Sequence, residues 1–263
     1  MKNIKYYADL MDKYQTSSIK KNIEDILKIN NTYSVIFDVG SNIGSFTKMI
    51  SQNVKYDEIH LFEPVKEIYD YSVDNLKDIE NVIINNKGIS DKPEDKLLYK
   101  CPKNLNKKIR QVGILQSRGK ILLEVRGCGG ESNIGWNTMV DYDPGQTYTY
   151  SGANGFYKYM DKEIVSCITI DDYVEQKNIR SLDLIKIDVE GYCGPVLKGA
   201  LKSIERFKPL LFVEICWGTK HPNWETNKLI YKNILDMGYK TVNCDNLLEQ
   251  GFSGDLIFEY KQI

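Results

Sequence analysis

No two of the six cysteines in this 263-residue sequence are spaced C-x-x-C. Cys101, Cys128, Cys167, Cys193, Cys216 and Cys244 are irregularly placed, several in or beside apolar runs. An even count in a chain this long does not make a disulfide framework. These residues read as reduced thiols acting as small hydrophobes, which points to a cytoplasmic protein. No run reaches the eighteen or so apolar residues needed to span a bilayer. The first residues, Met1 to Tyr7, lack an apolar h-region, so no secretory signal is expected. Net charge is also lacking: at −1, the whole-protein field favours neither nucleic acid nor membrane as a partner.

What is present is an alternation of strand-like and helix-like segments. Hydrophobic residues make up 42% of the chain, enough for a core. Ile19, Ile23, Ile26 and Leu27 form one stripe at helical spacing, with Ser17 or Ser18 as a cap. Strands are predicted at 34–38, 58–62, 82–85, 97–99, 121–125, 164–168, 182–188, 209–215, 239–242 and 255–260. Helices are predicted at 43–52, from Pro64 to about 77, at 171–176 behind a Thr169 cap, at 195–207, and at 224–237 before Gly238. Such alternation gives a mostly parallel sheet with helices on both faces, and the two closing strands add an antiparallel hairpin. The chain is expected to be one domain over 1–263, with an N-terminal helical cap over 1–32 and a substrate-side insertion over 100–162.

Two strand ends carry the strongest chemical signal. The first apolar strand closes on Asp38 and is followed by Gly40 and Gly44. The second closes on Glu63, twenty-five residues after Asp38. An acid there accepts hydrogen bonds from both hydroxyls of a ribose, so an adenosine-containing cofactor is expected at the strand carboxyl ends. The middle glycine of G-x-G-x-x-G is missing, which disfavours a pyrophosphate and hence an NAD-dependent oxidoreductase. S-adenosylmethionine has no phosphate. Asp38 is placed to hold its ammonium, and the amides near Asn42 and Ile43 its carboxylate. The third-strand turn, through Asn86, is expected at the adenine edge.

These segments resemble the FkbM-type methyltransferases. The resemblance is carried by Asp38-Val39-Gly40-Ser41-Asn42-Ile43-Gly44, Phe62-Glu63-Pro64, Thr169-Ile170-Asp171-Asp172-Tyr173 and Asp183-Leu184-Ile185-Lys186-Ile187-Asp188-Val189-Glu190-Gly191. Val196 to Ala200 and Lys208 to Glu214 extend it, all in family order. One departure is Cys193, where the family often has an acid. The resemblance implies a class I methyltransferase fold (a Rossmann-like α/β sheet of seven strands with the last antiparallel), S-adenosylmethionine as donor, and oxygen methylation, often of sugars.

Methyl transfer to a hydroxyl needs alignment and removal of a proton. Lys186, Asp188 and Glu190 follow one another at i, i+2 spacing and share one face if the strand stays extended, with Asp188 and Glu190 at its carboxyl end. Glu214 ends the next strand. His221 follows in a loop and is a candidate base near neutral pH, with a solvated loop histidine as the rival reading. His60 lies inside a strand and is expected to be structural. Asp188, Glu190 and Glu214 together can bind a cation, but no diagnostic ligand spacing exists and no metal is expected. From Lys100 to Lys120 there are seven basic residues and no acid. Lys107, Lys108 and Arg110 are candidates for binding an anionic acceptor, and Trp136 and Tyr150 for stacking on sugar rings.

The expected activity is methylation of a hydroxyl on a nucleotide-linked sugar or glycan precursor. Rival readings are an amino-sugar N-methyltransferase, an enzyme acting on a lipid or polyketide-like product, and a nucleotide- or nucleic-acid-binding module that has lost catalysis. Nucleic acid is not the expected partner.

Overall fold

The computed structural model of the chain describes residues 19–100, 139 and 161–261. The Ser17/Ser18 cap, the strand at 121–125, Lys107, Lys108, Arg110, Trp136 and Tyr150 lie outside the described residues.

Helix α1 covers 19–27. It is followed by β1 (Thr32–Val39), α2 (Ser45–Ile50), β2 (Lys55–Phe62), α3 (Lys66–Leu76) and β3 (Val82–Asn85). Next come β4 (Gly88–Ile89), β5 (Glu94–Lys100), β6 (Asp161–Ile168), α4 (Ile170–Gln176) and β7 (Leu184–Ile187). The chain continues with α5 (Cys193–Lys198), α6 (Leu201–Phe207), β8 (Leu210–Ile215), α7 (Trp224–Asp236), β9 (Tyr239–Thr241), α8 (Leu247–Gln250) and β10 (Gly254–Tyr260).

Seven strands form one sheet in the order β3-β2-β1-β7-β8-β10-β9. The first five are mutually parallel, and β10 runs antiparallel to both its neighbours. Successive parallel strands build outward from β1 in both directions, so the order reverses between β1 and β7. A crevice at the carboxyl ends of those strands follows from that reversal.

Strand alternation sorts the core into two layers. On β1, Val35, Phe37 and Val39 enter one buried cluster, while Ile36 enters the other. Leu184 of β7, Phe212 of β8 and Ile257 of β10 share the layer of Ile36. Ile23 and Ile26 of α1 bury against this layer, as their spacing predicts. Each fully buried Ile or Phe contributes about 1.5–3 kcal/mol. The opposite layer contains a ring cluster of Phe37, Phe62 and Tyr173, whose hydroxyl lies 2.8 Å from His60 Nδ1. His60 is buried and structural.

Three local expectations change. The strand predicted at 164–168 spans Asp161–Ile168 and joins a separate small sheet, β4-β6-β5. The single helix predicted over 195–207 is two helices. The Asp171 carboxylate accepts the Lys202 and Ser203 amides at 3.2 and 2.8 Å, so a new helix N-terminus forms there. Pro64 precedes its helix rather than entering the first turn, because Val65 is the N-cap.

Candidate active site

The β1–α2 loop is shaped by three left-handed residues, Gly40, Asn42 and Gly44, with φ of 73°, 51° and 82°. Gly40 is obligatory: a Cβ there would lie 1.9 Å from the Asp188 carbonyl oxygen. The Gly40 and Ser41 amides donate to the Phe62 carbonyl at 3.0 and 3.1 Å, locking the loop to the end of β2. A cavity of about 220 Å³ opens above it, with Ser41, Ile43, Glu63, Lys186 and Met139 in its wall. The Ser41 hydroxyl is buried there and has no hydrogen-bond partner among the described residues.

Glu63 is 5% exposed on this wall. Its Oε2 accepts the Asn42 amide at 3.0 Å and its Oε1 the Val65 amide at 2.8 Å. Burial pushes its pKa up to about 7 despite those two donors. Each carboxylate oxygen keeps a second lone pair for a hydroxyl donor. Two sequence expectations need correction here. The Asn42 amide is committed to Glu63, so it is not an open anion-binding donor. Asn86 does not reach the cavity: its Nδ2 donates to the Glu63 and Pro64 carbonyls at 2.9 and 3.0 Å. Lys87, Gly88 and Ile89 line that side instead.

Asp38 is corrected too. It is fully buried, and its carboxylate accepts the Thr47 hydroxyl at 2.8 Å and pairs with Lys186 Nζ at 3.0 Å. The reason is register: Asp38 and Lys186 are opposite each other on β1 and β7, and both point into the α1 layer. Lys186 Nζ also donates to the Gly40 carbonyl at 3.2 Å. Asp38 therefore acts behind the wall, by fixing Lys186 and the loop.

Beyond Lys186, the same face turns acidic. Asp188, Glu190, Glu214 and Asp255 all line the cavity. Asp188 lies 3.6 Å from Lys186 Nζ, with a side chain 46% exposed. Glu190 leaves the strand alternation, with a φ of 50°, yet it still lines the cavity. The Asp188 charge and burial push Glu214 up to about 10. Burial, with Asp188 beside it, holds Glu190 well above the usual carboxylate range. Asp255, raised chiefly by burial, was missed from sequence. An antiparallel last strand starts at the rim where the others end, and Asp255 pairs with Glu214 across it. Glu190, Glu214 and Cys216 place ligand-type atoms within 4.8 Å of one another, but such groups coordinate only after losing their protons.

His221 does not join these acids. It is buried, and Nε2–H donates to the Gly191 carbonyl at 2.8 Å while Nδ1 accepts the Asn223 amide at 3.0 Å. With both nitrogens engaged and its pKa lowered by burial, it is placed as neither an open base nor a solvated loop residue.

A sulfonium nucleoside fits this wall. The Glu63 lone pairs suit its ribose hydroxyls, the unpartnered Ser41 hydroxyl offers a further hydrogen bond, and the carboxylates suit its cation. The strand order is that of the class I methyltransferase fold. The profile of the Methyltransferase FkbM domain matches residues 38–241, and the chain belongs to that family.

No curated protein sequence matches the chain. Among solved structures, a methyltransferase FkbM from Methylobacillus flagellatus KT is similar, with 14% identity and a TM-score of 0.46. That similarity covers 86% of this chain and 44% of the other, so this chain spans less than half its length. Aeropyrum pernix fibrillarin, in complex with S-adenosyl-L-methionine, has 9% identity and a TM-score of 0.40, covering 86% of this chain and 65% of fibrillarin. An rRNA methylase from Streptococcus thermophilus has 11% identity and a TM-score of 0.42, covering 93% and 97%. Among the described residues, no helix is long and apolar enough to cross a membrane.

Proposed function

We propose that the chain transfers a methyl group to a hydroxyl of a sugar or glycan precursor. The observation that carries this reading is the convergence of Asp188, Glu190 and Glu214 on one rim of the cofactor crevice. When bound, the cofactor supplies an electrophilic methyl group. The protein supplies the rest. Carboxyls with raised pKa values are strong enough bases, when ionised, to take the proton that a hydroxyl loses. Exposed Asp188 can accept from a neighbouring hydroxyl, as a polyol acceptor requires.

The acidic wall disfavours an anionic acceptor end at the crevice. We assign the insertion over 100–162 to acceptor selection within a single domain over 1–263. The same wall favours a second reading, N-methylation of an amino sugar, because a cationic amine is attracted there. Cys167, Cys193, Cys216 and Cys244 are free thiols, which supports a cytoplasmic setting.

The test is release of S-adenosylhomocysteine from S-adenosylmethionine in the presence of neutral sugars, nucleotide-linked sugars and amino sugars. Turnover with a hydroxyl acceptor supports the proposal. Turnover confined to amino sugars with the new methyl on nitrogen, or to ribosomal RNA, overturns it.

A further inference from the structure

We infer that His221 and Trp217 are positioning residues that hold the Glu190-Gly191 turn and so aim the Glu190 carboxyl into the crevice. The inference rests on the reading of Glu190 as an acceptor-side carboxylate. Glu190 and Gly191 have φ of 50° and 90°, two left-handed residues in succession in the loop that follows β7. A non-glycine residue held there is strained and needs external support. That support comes from the loop after β8. His221 Nε2–H donates to the Gly191 carbonyl at 2.8 Å.

The donor role is fixed from the other side of the ring. Nδ1 faces the Asn223 amide at 3.0 Å and Asn227 Nδ2 at 3.4 Å, both donors, so the proton resides on Nε2. Trp217 stacks on the imidazole, with centroids 5.2 Å apart and planes at 26°. Its ring also closes over Gly191, where a Cβ would lie 3.3 Å from the indole and 3.4 Å from His221 Nε2. Trp217 itself has φ of 65°, so the clamp is strained on both sides. The groups that face Glu190 are Lys186, Asp188, Glu214 and Cys216. Its distance from them is set by this turn.

The experiment is carboxyl-detected NMR titration of the full chain, with Glu63 as internal reference. His221→Gln can still donate to the Gly191 carbonyl and should leave the Glu190 midpoint in place. His221→Phe keeps the ring but has no donor, and His221→Asn is too short. Both should move the Glu190 midpoint down by about one pH unit or more toward the free-carboxylate value, with Glu63 unmoved. A folded His221→Phe or His221→Asn chain with the wild-type Glu190 titration would overturn the inference. If both variants fail to fold, the imidazole nitrogen spectrum of the wild type decides: an Nε2–H tautomer supports the clamp and an Nδ1–H tautomer overturns it. Failure of the underlying reading looks different. Glu190→Gln would then turn over normally, whatever the titrations show.

Discussion

Asp38 and Lys186 face each other across β1 and β7, with the ammonium 3.0 Å from the carboxylate and both side chains out of solvent. The pair joins the cofactor loop to the acidic rim, since Lys186 also reaches the Gly40 carbonyl and Asp188. Three attractions outweigh burial, and the Lys186 pKa rises rather than falls. Removing one partner strands a buried charge. Lys186→Met is expected to cost about 3–5 kcal/mol in urea denaturation. Adding Asp38→Leu to it should return part of that loss without restoring donor affinity. A single-variant cost below about 1 kcal/mol would show that the pair does not hold the sheet end.

Glu63 predicts how donor binding depends on pH. Ribose hydroxyls donate to the ionised carboxylate, whereas the free protein holds this group at a pKa of about 7. Affinity for S-adenosylmethionine should therefore rise as pH increases through 7 and level off above it. Below 7 it should fall by up to about tenfold per unit. Glu63→Gln should abolish this dependence, and Glu63→Ala should weaken binding by about tenfold to a hundredfold, the worth of a charge-assisted hydrogen bond. Calorimetry at several pH values checks both. Undiminished affinity in Glu63→Ala would remove the ribose assignment.

Gly40 tests the loop itself. Its φ of 73° and the 1.9 Å approach of the Asp188 carbonyl leave no room for a methyl group. Gly40→Ala must distort either the loop or the end of β7. The backbone strain alone is worth about 1–3 kcal/mol. A thermal melt should drop by roughly 5–10 °C, with donor binding lost in the material that still folds. Wild-type binding in this variant would mean that the loop adapts.

Much of this was legible in the sequence because strand alternation and strand ends are local signals. Asp38, Glu63, Asp188 and Glu214 each close an apolar strand, and their place at the rim follows from a parallel sheet. What was not legible is which way each polar group spends its hydrogen bonds. Asp38 turned inward because register set it opposite Lys186, a pairing between residues far apart in the chain. Asn86 braced a turn, and His221 closed a loop onto Gly191, for the same reason. Asp255 was missed because its strand runs against the others. Its start, not its end, reaches the rim.

The acidic rim carries a stability cost that Glu214 exposes. Its folded pKa of about 10 lies far above the ordinary carboxylate value near 4.5. The folded chain therefore binds this proton more tightly than the unfolded chain does. Stability from this group is fully present below the unfolded value and is lost as pH rises toward the folded one. At pH 7 to 8 part of that loss has already occurred, which is the price of keeping Asp188, Glu190 and Glu214 together. Glu214→Gln has nearly the same shape and no charge to lose. It should be more stable than wild type by about 1 kcal/mol or more at pH 8, raising the melting temperature by about 2–4 °C. The gain should shrink as pH falls toward 4.5. The same variant should lose methyl transfer while still binding S-adenosylmethionine. Melting curves across pH, read beside turnover, give the decision. A Glu214→Gln chain that is less stable at pH 8 and equally active would show that the three carboxyls neither repel one another nor serve the acceptor.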